Sequence, residues 1–325
     1  MISFLRKTTL AVLFALSLAS CGTRQPQPDK AVPPAGGNAI YYWRTTFELS
    51  AADQSFLQRH DIRRIYLRMF DVAAELNPDN NTYEAVPIAT TRFAAAIPNS
   101  IEIVPTVYIT LDALRAMQGE EAKYAELLVE RLRAMASYNG CGKIREMQFD
   151  CDWTASTRAS YTELCQAARE RLRRDTIALS ATIRLHQLDE EAPPVDCGVL
   201  MLYNTGALKN PETRNSILDI DDVRPYLRKR KYAIPLDYAY PAFGWGVLFH
   251  DGKFQRIVSN PAAETRGEGD TIRIERPTAD EILDVKALVE KELGAPARSN
   301  ILYHLNNEQL KYYTENEVAE IYARR

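Results

Sequence analysis

The stretch KIREMQFDCDWT, residues 143–154, decides how the rest of the chain is interpreted. In an extended strand, successive side chains point to opposite faces. One face is apolar here and the other polar: Met147, Phe149, Cys151 and Trp153 against Gln148, Asp150 and Asp152. Buried carboxylates are costly unless they are paired or solvated. A strand that turns two of them towards a core therefore indicates a functional site.

Seven other apolar stretches predict strands, and helical patterns or loops separate them. With the first stretch they make eight: residues 39–47, 62–72, 101–110, 143–154, 176–186, 198–206, 232–240 and 300–306. Helices are expected at 91–96, 111–138, 156–174, 219–230 and 308–325, and after the capping residues Ser50 and Thr278. Eight alternating strands predict the α/β class, as one closed (β/α)8 barrel of the TIM type over residues 39–325.

Two connections are expected to depart from an ideal barrel. Residues 187–196 contain Pro193 and Pro194 and are too short for a full helix, so the helix between strands five and six should be degenerate. Asp251 and Gly252 predict the turn of a hairpin inserted after strand seven.

Composition places the chain among ordinary globular proteins. It has 325 residues, of which 46% are hydrophobic and 26% charged, and a formal net charge of -3. A nucleic-acid partner normally requires a concentrated basic face. The basic runs at 169–174 and 228–231 fall where helices should end, so we interpret them as solvated helix ends. No nucleic-acid binding is predicted.

The first residues predict export and attachment to a membrane. Residues 1–20 combine a basic start with a short apolar run, which is typical of a secretory signal peptide. The tetrapeptide LASC at 18–21 resembles the lipobox of bacterial lipoproteins, which implies a lipid on Cys21; a plain signal peptide is the alternative. Residues 21–38 form a Pro- and Gly-rich tether. Gly22 resembles the outer-membrane sorting default, so we expect an envelope lipoprotein of the outer membrane, facing the periplasm.

In a barrel of this type the site lies at the carboxyl ends of the strands, so the last polar residues of each strand are candidates. They are Arg44, Thr46, Arg68, Asp71, Tyr108, Thr110, Asp150, Asp152, Arg184, His186, Tyr203, Asn204, Asp237, Tyr240, His304 and Asn306. The alternative is a buried ionic core, in which three arginines neutralise three aspartates of this set: Arg44, Arg68 and Arg184 with Asp150, Asp152 and Asp237.

Other chemistries find little support in the sequence. The four histidines are scattered without the spacing of a metal site: His60, His186, His250 and His304. Phosphate-binding glycine loops, a GxSxG elbow and thiol-protease patterns are missing from the sequence, so no metal or cofactor is predicted. Four cysteines follow Cys21 and are expected to be free and buried, with a Cys151–Cys165 disulfide as the alternative: Cys141, Cys151, Cys165 and Cys197.

Three motifs resemble the chitinase-like glycoside hydrolases of family 18. FDCDWT, residues 149–154, resembles the IDIDWE core of that family, with Asp150 and Asp152 matching its two inner aspartates. LMLYNTG (200–206) and IPLDYAYPAFGW (234–245) are similar to its sixth-strand and seventh-strand segments. The resemblance implies a barrel whose site centres on the fourth strand.

Two departures from the family pattern affect the mechanism. Asn204 stands where the family has an aspartate, and Thr154 stands where it has the catalytic glutamate. A threonine hydroxyl cannot protonate a leaving oxygen at neutral pH, so the mechanism of the family does not carry over. The chain also resembles a group of uncharacterised envelope lipoproteins of the Bacteroides type.

Two functions therefore remain open. In the first, Asp150 or Asp152 is the catalytic acid of a glycan-processing enzyme, with its pKa raised by the other carboxylate. In the second, the barrel has lost hydrolysis and binds carbohydrate or another envelope ligand, with Trp43, Trp153 or Trp245 as stacking surfaces. The predicted binding residues are Arg44, Arg68, Trp153, Arg184, His186, Met201, Tyr203, Asn204, Asp237 and Tyr240. A structural lipoprotein without a ligand is a third reading.

Overall fold

The computed structural model describes residues 37–227 and 231–324. The predicted signal peptide, the lipobox with Cys21 and most of the tether lie outside these ranges. The described strands are β1 (Asn38–Tyr42), β2 (Thr46–Phe47), β3 (Ile62–Asn77), β4 (Thr82–Ile88), β5 (Arg92–Phe93), β6 (Glu102–Ile109), β7 (Glu146–Asp150), β8 (Ala178–Arg184), β9 (Cys197–Met201), β10 (Leu236–Pro241), β11 (Trp245–His250), β12 (Lys253–Val258), β13 (Asp270–Glu275) and β14 (Asn300–Tyr303). The described helices are α1 (Ala51–Arg59), α2 (Leu111–Ala116), α3 (Glu121–Tyr138), α4 (Arg158–Arg173), α5 (Ile220–Val223), α6 (Ala279–Leu293), α7 (Asn307–Leu310) and α8 (Glu315–Tyr322).

Eight parallel strands close into a barrel in the order β1, β3, β6, β7, β8, β9, β10 and β14. The ring closes because β1 pairs with both of its neighbours: Ala39 lies opposite Arg64 of β3 and opposite Ile301 of β14. Each of the eight strands falls within or overlaps a stretch predicted from the sequence. The predicted (β/α)8 barrel is therefore confirmed.

The capping residues fix where two of the outer helices begin. Ser50 and Asp53 form a reciprocal capping box at the start of α1, and Thr278 and Glu281 form another at the start of α6. A long helical pattern at 111–138 divides into α2 and α3, and α3 packs against α4 on the outside of the barrel. The main apolar core lies between these helices and the strands, and a second cluster fills the barrel interior.

The two irregular connections have the expected character. Between β8 and β9 the chain makes only a 3-10 turn, Leu185–Asp189. After β10, a hairpin turns at Asp251 and Gly252 and gains a third strand, so that β12, β11 and β13 form a small antiparallel sheet. This inserted sheet lies between β10 and the last barrel strand in the chain order.

Some predicted helices are wrong or shorter than expected. Residues 91–96 are not helical, because Arg92 and Phe93 pair with β2 as strand β5. Of the helix expected at 219–230, the described residues form one α-helical turn followed by a 3-10 turn at Arg224–Tyr226, and residues 228–230 lie outside the described ranges. The final helix is interrupted, because Thr314 caps a new helix, α8. In the described residues, no helix has both the length and the apolar character needed to cross a membrane.

Candidate functional site

Strand β7 turns its polar face into the barrel, as the alternation predicted. Gln148 is fully buried and its Oε1 accepts a hydrogen bond of 2.8 Å from the Tyr41 hydroxyl, while its Nε2 donates to Ser180 Oγ at 3.3 Å. Asp150 and Asp152 follow on the same side, towards the carboxyl end. Phe149 points outward and belongs to the core between barrel and helices.

Arg184, at the end of β8, lies between the two carboxylates. Its Nη2 is 3.4 Å from Asp150 Oδ1, and its Nε donates to Asp152 Oδ1. The guanidinium carbon is also 5.2 Å from the centre of the Tyr203 ring, which is a cation–π distance. The two carboxylates therefore share one cation that is held from its other side by an aromatic ring.

The two carboxylates differ in their access to water. The side chain of Asp150 is 3% exposed, and its Oδ1 accepts a 2.6 Å hydrogen bond from Thr182 Oγ1. Burial raises the pKa of Asp150, and the positive charge of Arg184 opposes that rise. The side chain of Asp152 is 44% exposed. Asp152 is thus the carboxylate that an incoming molecule can reach.

Two tyrosines beside the pair are kept neutral over the physiological range. Burial raises the pKa of Tyr203 to about 12, although Arg184 lowers it. Burial, together with the negative charges of Asp152 and Asp150, raises the pKa of Tyr108 to about 12. Both hydroxyls therefore keep their protons and can donate a hydrogen bond.

A cavity of about 240 Å³ opens beside Arg184 and Asp152. The side chains that line it come from the ends of β8 and β9 and the segments that follow: Leu185, His186, Met201, Tyr203, Asn204, Thr205 and Tyr226. His186 is exposed, and Asn204 has a positive φ of 55°. The sequence-predicted residues Arg184, His186, Met201, Tyr203 and Asn204 are therefore brought together with Asp152.

An aromatic cluster continues from this cavity across the carboxyl end of the barrel. Tyr303 lies at its centre, with ring centroids 4.6 Å from Tyr203, 5.8 Å from Trp43 and 5.9 Å from Phe243. Phe243 in turn lies 5.3 Å from Trp245. Trp43, Tyr303 and Trp245 are each partly exposed, so ring surface faces outward along the cluster.

Thr154 lies in the turn that leads from β7 into α4. Its hydroxyl lies 3.0 Å from Ser156 Oγ, and its backbone N–H donates to Thr157 Oγ1 at 3.0 Å. Both contacts are made within the turn that leads into α4. Thr154 therefore belongs to a local hydroxyl network at the start of α4.

Asp237 was predicted at the site, and that prediction is wrong. It is the second residue of β10 and lies at the opposite, amino-terminal end of the barrel. There its Oδ2 accepts from Arg298 Nε at 2.8 Å, and Arg298 Nη1 also contacts Glu146 Oε2 at 2.5 Å. Asp237, Arg298 and Glu146 thus form a buried ionic cluster at the amino-terminal end of the barrel, which we call the barrel floor. Tyr66 accepts a further 3.0 Å hydrogen bond from Arg298.

Two other predicted binding residues point away from the site. Trp153 is 1% exposed, and its ring stacks on Tyr161 of α4 at 6.0 Å. Tyr240 is fully buried in the core between the barrel and the helices. Both have the strand parity of outward-facing residues, so neither can stack on a ligand in the barrel mouth.

The remaining two arginines do not neutralise the central pair. Arg68 forms a two-point contact with Asp71, with distances of 2.7 and 2.5 Å. Arg44 lies over the Tyr42 ring, its guanidinium carbon 5.7 Å from the ring centre. The ionic-core interpretation therefore holds for Arg184 with its two aspartates. It fails for Arg44 and Arg68, and Asp237 is paired with Arg298 instead.

The sequence interpretation missed Tyr303 and Phe243. Tyr303 shares its strand face with Ile301, which lies in the barrel interior, so the period-2 pattern of β14 could have identified it. His304 follows the end of β14, and burial lowers its pKa to about 4. Phe243 follows the end of β10 in an irregular segment, and no periodic pattern could place it.

Neither a metal-binding cluster nor a reactive thiol is found in the described part of the chain. Among residues 37–227 and 231–324, no three His, Cys, Asp or Glu side chains meet in a way that could hold a metal ion. The four cysteines are free and buried, as expected: Cys141, Cys151, Cys165 and Cys197. Burial raises the pKa of Cys165 and of Cys141 to about 12, so neither thiol is poised as a nucleophile.

No family description matches the chain, and no curated protein does. Solved structures do match it. The spore cortex-lytic enzyme SleL of Bacillus megaterium is 14% identical with a TM-score of 0.54, over 89% of this chain and 74% of that one. The same enzyme of Bacillus cereus is 13% identical with a TM-score of 0.51 over the same shares. A chitinase from Bacteroides thetaiotaomicron is 11% identical with a TM-score of 0.54, over 89% of this chain and 96% of that one.

The barrel has the fold of these chitinase-like enzymes. At such low identity the likeness concerns the fold, a parallel eight-stranded barrel surrounded by helices.

Proposed function

We propose that this protein binds a carbohydrate chain at the carboxyl end of its barrel and does not hydrolyse it. The observation that carries the proposal is the arrangement around Arg184. One guanidinium holds both carboxylates of the strand, and Thr154 stands where an acid would be needed.

Hydrolysis of a glycosidic bond requires a carboxylic acid that can protonate the leaving oxygen. It usually also requires a second carboxylate, roughly 5–10 Å from the first. Asp150 is enclosed between Thr182 and Arg184, so a leaving oxygen cannot reach it. Asp152 is accessible, but its Oδ1 already accepts a charge-assisted hydrogen bond from Arg184 Nε. Neither group matches the task.

Binding has stronger support. Ligand sites combine a concave surface with aromatic walls and a few fixed polar groups, and the cavity beside Asp152 has all three. The Arg184 guanidinium is held by two carboxylates and a ring, so it is already oriented before a ligand arrives. Tyr203 lines the cavity, and the partly exposed ring of Tyr303, 4.6 Å from it, offers apolar surface to a sugar.

The proposed location supports this role. We propose that Cys21 carries lipid and that the protein is held at the outer membrane, on its periplasmic side. Because all barrel strands are parallel and β1 begins at Asn38, the tether joins the barrel at the end opposite the cavity. A lipid on Cys21 would therefore be connected to the barrel through Asn38, at the end where β1 begins.

One observation favours the competing function, a hydrolase. Burial raises the pKa of Asp150, as is common for catalytic acids. If a ligand displaced Arg184, Asp150 could become accessible as that acid. The experiment must therefore measure binding and cleavage in the same samples.

The test uses the purified full-length protein and a panel of glycans headed by chitin oligosaccharides and spore-cortex fragments, because the structural neighbours are a chitinase and two spore cortex-lytic enzymes. Calorimetry measures binding, and an assay for new reducing ends measures cleavage. We expect binding without new reducing ends, and a loss of about tenfold or more in affinity for Asp152→Asn and for Tyr303→Ala.

Asp61→Asn is the matched control, because Asp61 is 69% exposed and lies just before β3, at the opposite end of the barrel. It should leave binding unchanged. New reducing ends that disappear in Asp150→Asn would establish the hydrolase instead. If no glycan on the panel binds, the binding proposal fails and a structural lipoprotein becomes the better account.

A further inference from the structure

A second cavity, of about 470 Å³, lies on the same end of the barrel, between the segment after β10 and the segment after β14. The residues that matter for its chemistry are Trp245, Arg276, Lys311 and Tyr312. From the sequence, Trp245 was assigned to the site as a stacking surface, and the other three residues were not assigned. The cavity therefore needs an explanation of its own.

A buried carboxylate holds the indole of Trp245 in place. The Trp245 Nε1–H donates to Glu275 Oε2 at 2.8 Å, and the side chain of Glu275 is fully buried. Glu275 also accepts from Ser216 Oγ at 2.6 Å and from Arg273 Nε at 2.6 Å. With its polar edge fixed on the inserted sheet, Trp245 presents a rigid ring to the cavity.

Two neighbouring side chains, Tyr312 and Gln309, hold the Arg276 guanidinium in one orientation. Its guanidinium carbon lies 3.5 Å from the centre of the Tyr312 ring, and its Nη2 donates to Gln309 Oε1 at 3.1 Å. The same Gln309 oxygen accepts the backbone N–H of Gly244 at 3.1 Å. Stacking on a ring from one side and an amide on one edge fix the guanidinium plane.

Arg276 has no acidic partner among residues 37–227 and 231–324, since no carboxylate there forms an ion pair with it. Glu308 is the acidic residue among the described residues lining the cavity, and its Oε2 pairs with Lys311 Nζ at 2.5 Å. A fixed guanidinium with an open edge beside an aromatic ring is a site for an anionic group.

The aromatic cluster connects this cavity with the first one. Tyr203 lines the first cavity, Trp245 lines the second, and Phe243 lies between them at ring-centroid distances of 5.9 and 5.3 Å. The two cavities therefore lie on either side of one aromatic cluster.

We propose that the second cavity binds a carboxylate or sulfate substituent of the same carbohydrate chain, so that the ligand is an acidic glycan. This inference rests on the proposed function and adds the chemical class of the ligand. Arg276 supplies the positive charge, the Tyr312 ring holds the Arg276 guanidinium in its orientation, and Trp245 supports the neighbouring sugar ring.

The experiment uses the full-length protein and an array of matched glycan pairs, in which each acidic member has a neutral counterpart of the same backbone. The pairs include uronic acids with their carboxyl-reduced forms, sulfated with desulfated chains, and muramic-acid chains with their carboxyl-reduced forms. Wild type should prefer acidic members by about tenfold or more, and the preference should shrink as salt rises. The pairs that show the preference distinguish carboxylate from sulfate.

Arg276→Gln should remove the preference while it leaves binding of the neutral counterparts within about twofold. Arg276→Lys should restore part of it, because a point charge remains but the flat stacked donor is lost. Arg63→Gln makes the same change in charge at the opposite end of the barrel, where Arg63 is 64% exposed, and should change nothing.

The possible failures can be told apart. If acidic and neutral counterparts bind wild type equally, or if Arg276→Gln keeps the preference, this inference is overturned while carbohydrate binding stands. If no member of any pair binds, the proposed function fails and the inference fails with it.

Discussion

Replacing Arg184 with methionine removes the cation that Asp150 and Asp152 share. Removing one partner from a buried ion pair costs roughly 3–5 kcal/mol, because the other charge is left without compensation. That figure applies to Asp150, whose side chain is 3% exposed. Asp152 is 44% exposed and adds only about 0–1 kcal/mol. Because Thr182 still donates to Asp150, we expect a loss of about 3 kcal/mol in the free energy of unfolding at pH 8.

The loss should depend on pH in one direction. Burial already raises the pKa of Asp150, and Arg184 is the charge that opposes the rise. Without Arg184 the folded-state pKa rises further above the unfolded value. Below the unfolded value the carboxyl is protonated in both states and little is lost; as the pH climbs through the folded value, the deficit grows to its full size.

Urea denaturation of wild type and Arg184→Met at pH 5 and pH 8 measures this directly. The double variant Arg184→Met with Asp150→Asn should recover most of the deficit at pH 8, since no buried charge remains. A deficit below about 1 kcal/mol at pH 8, or one of equal size at both pH values, would refute the idea that Arg184 neutralises Asp150.

Three further outcomes follow from other parts of the structure. Thr154→Glu should not create glycosidase activity, because the neighbouring carboxylates stay tied to one guanidinium; new reducing ends in this variant would mean that the missing glutamate alone keeps the barrel inactive. Trp245→Phe should lower stability by about 1 kcal/mol through the lost bond to Glu275, and should weaken glycan binding by more than the unfolded fraction explains; unchanged affinity in calorimetry would remove Trp245 from the site. Arg298→Met should lower the Tm by roughly 6–20 °C, because Glu146 and a second carboxylate lose their buried partner; a Tm within about 2 °C of wild type would show that the barrel floor contributes little.

The sequence predicted the architecture because strand periodicity is a local property. All eight barrel strands could be located from short apolar stretches, and the caps at Ser50 and Thr278 marked two helix starts correctly. The helix predicted at 91–96 failed because pairing with a distant strand overrode a weak local preference. Tertiary partners of that kind leave no trace in a short window.

Residues of the candidate site were predicted correctly where the strand parity and the strand ends were also predicted correctly. Parity placed Asp150, Asp152 and Arg184 together correctly. Asp237 was misplaced because its strand begins at Leu236 rather than four residues earlier, which moves the aspartate from the rim to the floor. Tyr240 has the opposite parity and faces the helices.

Contacts between distant segments lay beyond any sequence pattern. Arg276 and Tyr312 come from different segments of the chain and meet only because the segments that follow β13 and β14 lie side by side. The hydrogen bond from Trp245 to Glu275 depends on the three-stranded inserted sheet. The sequence predicted only the first hairpin of that sheet. These are the residues that distinguish this barrel mouth from a generic one.

The central claim is that the barrel mouth holds a glycan intact. The most direct measurement incubates the purified protein with a saturating amount of a bound oligosaccharide, and then determines by mass spectrometry both the complex and the length of the recovered sugar. The account predicts a one-to-one complex, lost in Tyr303→Ala, from which the oligosaccharide is recovered at its original length. Shorter fragments, or no complex with any oligosaccharide that wild type was offered, would contradict it.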